Sequence, residues 1–235
     1  MTLNLSNLNR SFTEQYYINM GQQIGNGADG RVYCVREEGS GWFYAAKVLR
    51  RNRRGITPHE VHINSIIFSG SFVNDHIVQY ECWFEASGPR QRPVILFEHC
   101  EMGTLQEFMT REYGYNFQVN NAPPEDMIRT FFLQLLSALL FLHEPGPDAN
   151  RGPIVHRDIK PSNILLVEGN DSSGWPCVKL CDFGGALEID SWSCNVENAQ
   201  RPSDPAVFTR NYAASEIPWP ISTTTLTHVR SSSVV

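Results

Sequence analysis

The sequence predicts an α+β chain of two lobes, the first built from antiparallel β-strands and the second mainly helical. Three observations carry this expectation. Short β-branched and aromatic runs broken by glycine turns fill residues 17–101. In "PEDMIRTFFLQLLSALLFLH" the apolar residues then recur at helical spacing. The 235 residues are 41% hydrophobic and 11% aromatic, which is enough to bury a sizeable core.

Residues 1–16 read as an N-terminal extension, without the charged start and apolar block of a secretory signal. The first lobe, 17–101, opens with "RVYCVR", "EEGSG" and "WFYAAKVL", which together read as a β-hairpin. A helix is predicted at "TPHEVHINSIIF", where Pro58 near the start does no harm because an N–H there has no partner to lose. Two strand-like runs follow, "HIVQYECWFE" and "PVILFEH", separated by the turn-rich "ASGPRQR". The lobes join near Glu98–Gly103. In the second lobe, 102–216, Ile128, Phe131, Phe132, Leu135, Leu139 and Leu142 mark a long helix that is expected to be deeply buried, with Pro124, Glu125 and Asp126 suited to its first turn. Beyond a Pro/Gly-rich excursion lie "IVHRDIKPSNILL", with strand-like ends, and the strand "CVKLCDFG". The Ser/Thr-rich tail, 217–235, reads as disordered.

A net charge of -6 gives no electrostatic case for nucleic acid as the main partner, and the basic run Arg50–Arg54 reads as solvated loop surface. The stretch "FFLQLLSALLFL" is too short to span a bilayer, so no membrane partner is expected and the chain is placed in the cytoplasm or nucleus. Six cysteines without a CxxC pair predict neither disulfides nor zinc. His59 and His62 lie three apart on the predicted helix, but no Cys or carboxylate cluster completes a metal site there.

Chemistry concentrates in a few polar groups. "GNGADGRV", Gly25–Val32, has the form GxGxxGxV, and on its own it is weak evidence, since glycine-rich segments are more often plain turns. A Rossmann fingerprint would be followed by a helix and a Walker loop by Lys-Ser/Thr, whereas here Arg31-Val32 opens a strand. What survives is a glycine hairpin whose bare N–H groups can approach a polyphosphate while Val32 covers an apolar base. Lys47 is a cation in an otherwise apolar strand: either a solvated residue on an open sheet face, or a phosphate ligand held by a helix carboxylate, for which Glu60 is the candidate.

At Asp158 and Asn163, "HRDIKPSN" resembles the catalytic loop of eukaryotic protein kinases, and "DFG", Asp182–Gly184, follows in the family's order. The resemblance runs from about Tyr17 to Glu216 and implies a bilobal kinase-like fold using ATP and Mg2+. It implies that Asp158 accepts the substrate's proton, that Lys160 neutralises the transferring phosphoryl group, and that Asn163 and Asp182 hold magnesium. It implies a nucleotide site of Gly25, Asn26, Gly27, Gly30, Val32, Ala45, Lys47, Glu60 and Leu165, with the hinge backbone of Glu98, His99 and Cys100 bonding the base and Phe97 guarding the pocket. His156 and Phe183 resemble members of the buried stack that aligns the lobes. Arg157 resembles the clamp for a phosphorylated segment, and is equally readable as a loop-packing arginine. Lys160 and Thr209 resemble the serine/threonine type, so the expected partner is a protein substrate with a Ser or Thr acceptor.

The match departs at Ser215, which replaces the proline of Ala-Pro-Glu, at Phe208, and at Asn64, which stands where the family has an apolar residue. After Glu216 only 19 residues follow, and the later helices of the family are not recognisable in them, so an incomplete C-lobe is expected. Two functions are therefore expected to compete: a Ser/Thr protein kinase, and a catalytically impaired ATP-binding or regulatory module whose open face is covered by a partner. Autophosphorylation is expected between Asp182 and Glu216, at Ser203 foremost.

Overall fold

β-branched and aromatic residues alternating between glycine turns form a six-stranded antiparallel sheet in the computed structural model, which describes residues 2–4, 17–27, 29–37, 39–50, 58–70, 73–85, 92–114, 122–144, 151–169, 174–189 and 212. The strands are β1 (Thr2–Asn4), β2 (Tyr17–Asn26), β3 (Gly30–Glu37), β4 (Phe43–Leu49), β5 (Tyr80–Glu85) and β6 (Pro93–Glu98). Their spatial order is β1-β2-β3-β4-β6-β5. The outermost strand, β1, comes from the segment that the sequence assigned to an extension. Residues 51–54 of the basic run, Cys194, Ser203, Phe208, Thr209, Ser215, Glu216 and the tail 217–235 lie outside the described residues.

Gly30 is needed where it stands, because a Cβ there would come 2.5 Å from the Val48 carbonyl oxygen. It sets the close register that pairs Val32 with Lys47 across β3 and β4. Helix α1 (His59–Ile67) packs on this sheet through Val61, which shares a buried cluster with Leu49 and Ile95. Farther along the same helix, Ile63 and Ile67 join the second-lobe core around Leu166, Leu180 and Phe183. One helix thus belongs to both cores.

The run "HIVQYECWFE" is strand only over Tyr80–Glu85. Its first residues instead pair with the other lobe: Leu180 N–H donates to His76 carbonyl at 2.8 Å, and Val78 N–H to Leu180 carbonyl at 3.0 Å.

After β6 the chain turns at Gly103, whose φ of 77° suits glycine, into helix α2 (Leu105–Tyr113). This helix was not anticipated. Its start is a capping box in which Thr104 and Glu107 satisfy each other's backbone N–H groups. Helix α3 (Glu125–His143) follows, then β7 (Ile154–Val155), β8 (Ile164–Val167), β9 (Cys177–Leu180) and β10 (Leu187–Glu188), with β8 paired to β9 and β7 to β10.

Two expectations about α3 need correction. It is not deeply buried: Met127, Phe131, Ala138 and Leu142 face the core, while Phe132 is 60% and Leu140 58% exposed. Nor is it short for a bilayer, since the helix extends over 19 residues and passes on length and composition alone. Met127 and Ile128 add apolar residues on the N-terminal side, beyond Arg129 and Thr130. The buried stripe lies in the same core as Val178 and Leu180 of β9.

Candidate active site

The cleft between the lobes collects charged groups from four elements. Lys47 sits in the centre of β4 with 8% exposure, paired laterally to Val32 on β3 and Ile95 on β6. Its Nζ lies 2.7 Å from Glu60 Oε1 on α1 and 2.7 Å from Asp182 Oδ1. Burial alone would push Lys47 down, yet the two carboxylates overcome it and hold the ammonium above the ordinary lysine range. Burial would likewise push Asp182 up, but Lys47 outweighs it and takes that carboxyl below its usual value. At Glu60 burial prevails over Lys47, and the carboxyl is raised, with Asp182 and Asp29 adding to the effect. One ammonium thus serves two carboxylates at equal distance.

Glu60 reaches Lys47 because the α1 register puts it on the cleft side, one turn before Asn64. The Asn64 side chain is fully buried; its Nδ2 donates to the Glu60 carbonyl at 2.8 Å, and its Oδ1 has no partner among the described residues. Where an apolar residue was expected, the core therefore carries an amide.

The second group is local. Asp158 Oδ2 accepts from Lys160 Nζ at 2.6 Å and from Asn163 Nδ2 at 3.0 Å. Asn163 also donates to the Asp158 carbonyl at 2.9 Å, and a 3-10 turn over Pro161–Asn163 holds the loop. Cys181 N–H donates to the Asn163 carbonyl at 3.0 Å, which joins this loop to the residue before Asp182. Asp182 itself has φ 68° and ψ 70°, a left-handed conformation costly for a non-glycine residue. His156 braces it: Nε2–H donates to the Cys181 carbonyl at 2.9 Å, Nδ1 accepts from Asp158 N–H at 3.3 Å, and the ring meets Phe183 edge-on at 4.9 Å. Arg157, also at positive φ, donates from Nε to the Gly185 carbonyl.

The nucleotide positions inferred from the sequence lie on the strands beside Lys47 and on β8. Gly25 and Asn26 end β2 and Gly27 follows, its N–H donating to the Gly30 carbonyl at 2.9 Å; a Cβ on Gly27 would meet nothing within 4 Å. Ala45 of β4 lies opposite Phe97 of β6, and Leu165 of β8 opposite Lys179 of β9. Glu98 N–H already donates to the Gln79 carbonyl at 3.0 Å, so any base contact from this residue must come from its carbonyl. Neither His99 nor Cys100 spends its N–H on a backbone carbonyl among the described residues. The Cys100 thiol is pushed up to about 12, by burial first and Glu98 next, so it is not a nucleophile. His59, read as a weak metal candidate, bonds through Nε2 to the Ala186 carbonyl at 2.7 Å.

Asn163 directs its amide nitrogen at Asp158, which leaves its Oδ1 as a neutral oxygen donor, and Asp182 gives one carboxylate oxygen to Lys47 and keeps the other. Two hard oxygen donors suit magnesium, which normally takes few protein ligands and completes its shell with phosphates and water.

The sequence matches the protein kinase domain family over residues 18–228. It is 31% identical over 171 residues to the serine/threonine-protein kinase Nek6 of Oryza sativa subsp. japonica, covering 73% of this chain and 28% of that protein. It is 32% identical over 170 residues to the serine/threonine-protein kinase shk1/pak1 of Schizosaccharomyces pombe, covering 72% and 22%. An Aurora kinase of Patiria pectinifera is 28% identical over 174 residues, covering 73% and 37%. The chain thus spans well under half the length of each of these relatives.

Proposed function

The chain belongs to the protein kinase family, and from that premise we propose that it transfers the γ-phosphoryl group of ATP to Ser or Thr hydroxyls of proteins. The observation that carries this is the Lys47 ammonium, 2.7 Å from both Glu60 and Asp182, a side chain 135 residues away in sequence. A lysine held so firmly in a buried strand presents a fixed positive charge where phosphates would lie.

In the proposed reaction the acceptor O–H breaks as its oxygen attacks phosphorus, and the proton passes to the Asp158 carboxylate. The bond between phosphorus and the ADP oxygen breaks, and ADP leaves. Lys160, 2.6 Å from Asp158, sets a positive charge beside the transferring group. Asn163 orients Asp158 by bonding both its carboxylate and its carbonyl. Magnesium, held by Asn163 and Asp182, would neutralise charge on the phosphates. The hinge carbonyl of Glu98 and the N–H of Cys100 would bond the base, with Val32, Ala45 and Leu165 against its faces.

A transfer assay with labelled ATP, magnesium and a generic Ser/Thr protein substrate tests this, comparing the chain with Asp158→Asn. Transfer by the wild type that collapses in the variant supports the reading. Nucleotide binding without transfer would assign the chain to the regulatory module instead.

A further inference from the structure

Glu98 closes the last strand of the first lobe, and Lys179 lies on β9, three residues before Asp182. Their side chains meet at 2.8 Å, with only 27% and 15% exposure. The same Glu98 oxygen accepts from Gln79 N–H at 2.7 Å, while Glu98 N–H donates back to the Gln79 carbonyl at 3.0 Å. One carboxylate oxygen therefore ties together β6, the segment entering β5, and β9. Lys179 pairs with Leu165 across β8 and β9, and cross-strand partners share a face of the ladder, so its stem runs beside the residue assigned to the base.

A second carboxylate stands near the pair. Glu81 lies close enough that Glu98 adds to the upward push that burial gives its carboxyl. Without Lys179, Glu98 would face a like charge in a half-buried setting. It would then turn to solvent and release Gln79 N–H, and the hinge backbone would lose its anchor.

We infer that Lys179 is a positioning residue for nucleotide binding: through Glu98 it fixes the hinge backbone of residues 98–100 relative to the strand that carries Asp182. This rests on the nucleotide-binding reading of the cleft. No motif marks Lys179, since a lysine in a short strand is ordinarily a solvated residue.

Three variants separate the charge pair from its surroundings. Lys179→Met removes the charge and keeps the stem, Lys179→Arg keeps the charge, and Glu98→Gln removes the pair but retains an acceptor for Gln79 N–H. Calorimetry with magnesium-ATP should show Kd weakened about 5- to 10-fold by Lys179→Met and by Glu98→Gln, the low end of coupling between linked sites. The double variant should be no weaker than either single, and Lys179→Arg should rescue. Hydrogen exchange, which needs no nucleotide, should be faster at amides 97–103 in Lys179→Met and restored in Lys179→Arg. Additive losses in the double variant, or unchanged exchange at those amides, would overturn the inference. Should the wild type bind no nucleotide while the hinge still loosens in Lys179→Met, the functional reading falls and the hinge anchor stands.

Discussion

The two charged groups of the cleft differ in how they are built. The upper one, Lys47 with Glu60 and Asp182, draws on a central strand, a helix and the segment after β9, and its lysine and glutamate are 8% and 5% exposed. The lower one, Asp158 with Lys160 and Asn163, comes from six consecutive residues of one loop, so the contrast lies in how many elements each group joins rather than in exposure alone. Burying an ion pair is costly, and removing one partner is costlier still, because a charge is left without compensation. A group assembled within one loop, with Lys160 and Asp158 at 21% and 15% exposure, depends on fewer elements and carries a smaller penalty. The upper group should therefore couple stability to nucleotide binding, while the lower one should affect chemistry alone.

Asp158→Asn should break the pair of behaviours most sharply. Loss of a positioned proton acceptor should lower turnover by about 100- to 10,000-fold. Because the side chain keeps its shape and an oxygen for Lys160 and Asn163, the melting temperature should stay within about 2 °C, less than a 1 kcal/mol change would move it. Turnover within a few-fold of wild type in the transfer assay would remove Asp158 from the reaction.

Lys47→Met should act on both quantities. It leaves the buried Glu60 facing the one-third-exposed Asp182 with no cation between them, a loss of about 3–5 kcal/mol. In a chain of this size that corresponds to a melting temperature lower by roughly 6–20 °C. Magnesium-ATP affinity measured by calorimetry should fall as well. Adding Glu60→Gln to Lys47→Met should recover part of the melting temperature and none of the affinity. A single variant that melts like the wild type would erase the distinction between the two groups.

The same difference governs what could be read beforehand. Asp158, Lys160 and Asn163 are legible because a single loop holds them at fixed spacing. Lys47 and Glu60 are harder to read, since an isolated lysine in a strand and an isolated glutamate on a helix each read as surface, and the sequence offers their pairing only as one of two alternatives. Helix α2 carries a local signal in the sequence, Thr104 three residues before Glu107. The exposed side of α3 carried none: Phe132, Leu136 and Leu140 are as apolar as the buried Phe131 and Leu142, so periodicity cannot say which face meets the core. Lys179 was hidden for a related reason, because its partner lies 81 residues away and neither residue is unusual by itself.

Acidification should load the cleft in two stages. His156 is pushed down by burial, despite its bond to the Cys181 carbonyl, so the unfolded chain binds its proton more readily than the folded chain. Its contribution is complete above the ordinary histidine value of about 6.5 and is lost as pH falls through the lower folded value. Protonation at Nδ1 also opposes the Asp158 N–H that donates there. Asp182, held low against burial by Lys47, follows the same sign farther down: its stabilisation is present above about pH 4 and lost as pH falls through its folded value. Melting temperatures between pH 7 and 5 should fall less steeply in His156→Gln, which can still donate to Cys181 and accept from Asp158. Identical slopes in the two proteins would mean that His156 does not carry the first stage.

The smallest effect should come from an ion pair of ordinary length on the outside of the molecule. Arg129 Nη2 lies 3.1 Å from Glu125 Oε1, one turn away on α3, with the two side chains 62% and 88% exposed. The distance is only slightly longer than that of Lys47 to Glu60, so a reading by distance would rank them close together. Solvent decides otherwise: an exposed pair at this helical spacing is worth about 0.3–0.5 kcal/mol, and salt screens it further. Arg129→Ala also places the best helix former in the first turns of α3, which returns a few tenths of a kcal/mol. The two contributions nearly cancel. A melting temperature within about 1 °C of wild type is expected, at low salt as at high. A loss approaching that of Lys47→Met would show that distance, rather than burial and the number of elements joined, ranks the ion pairs of this chain.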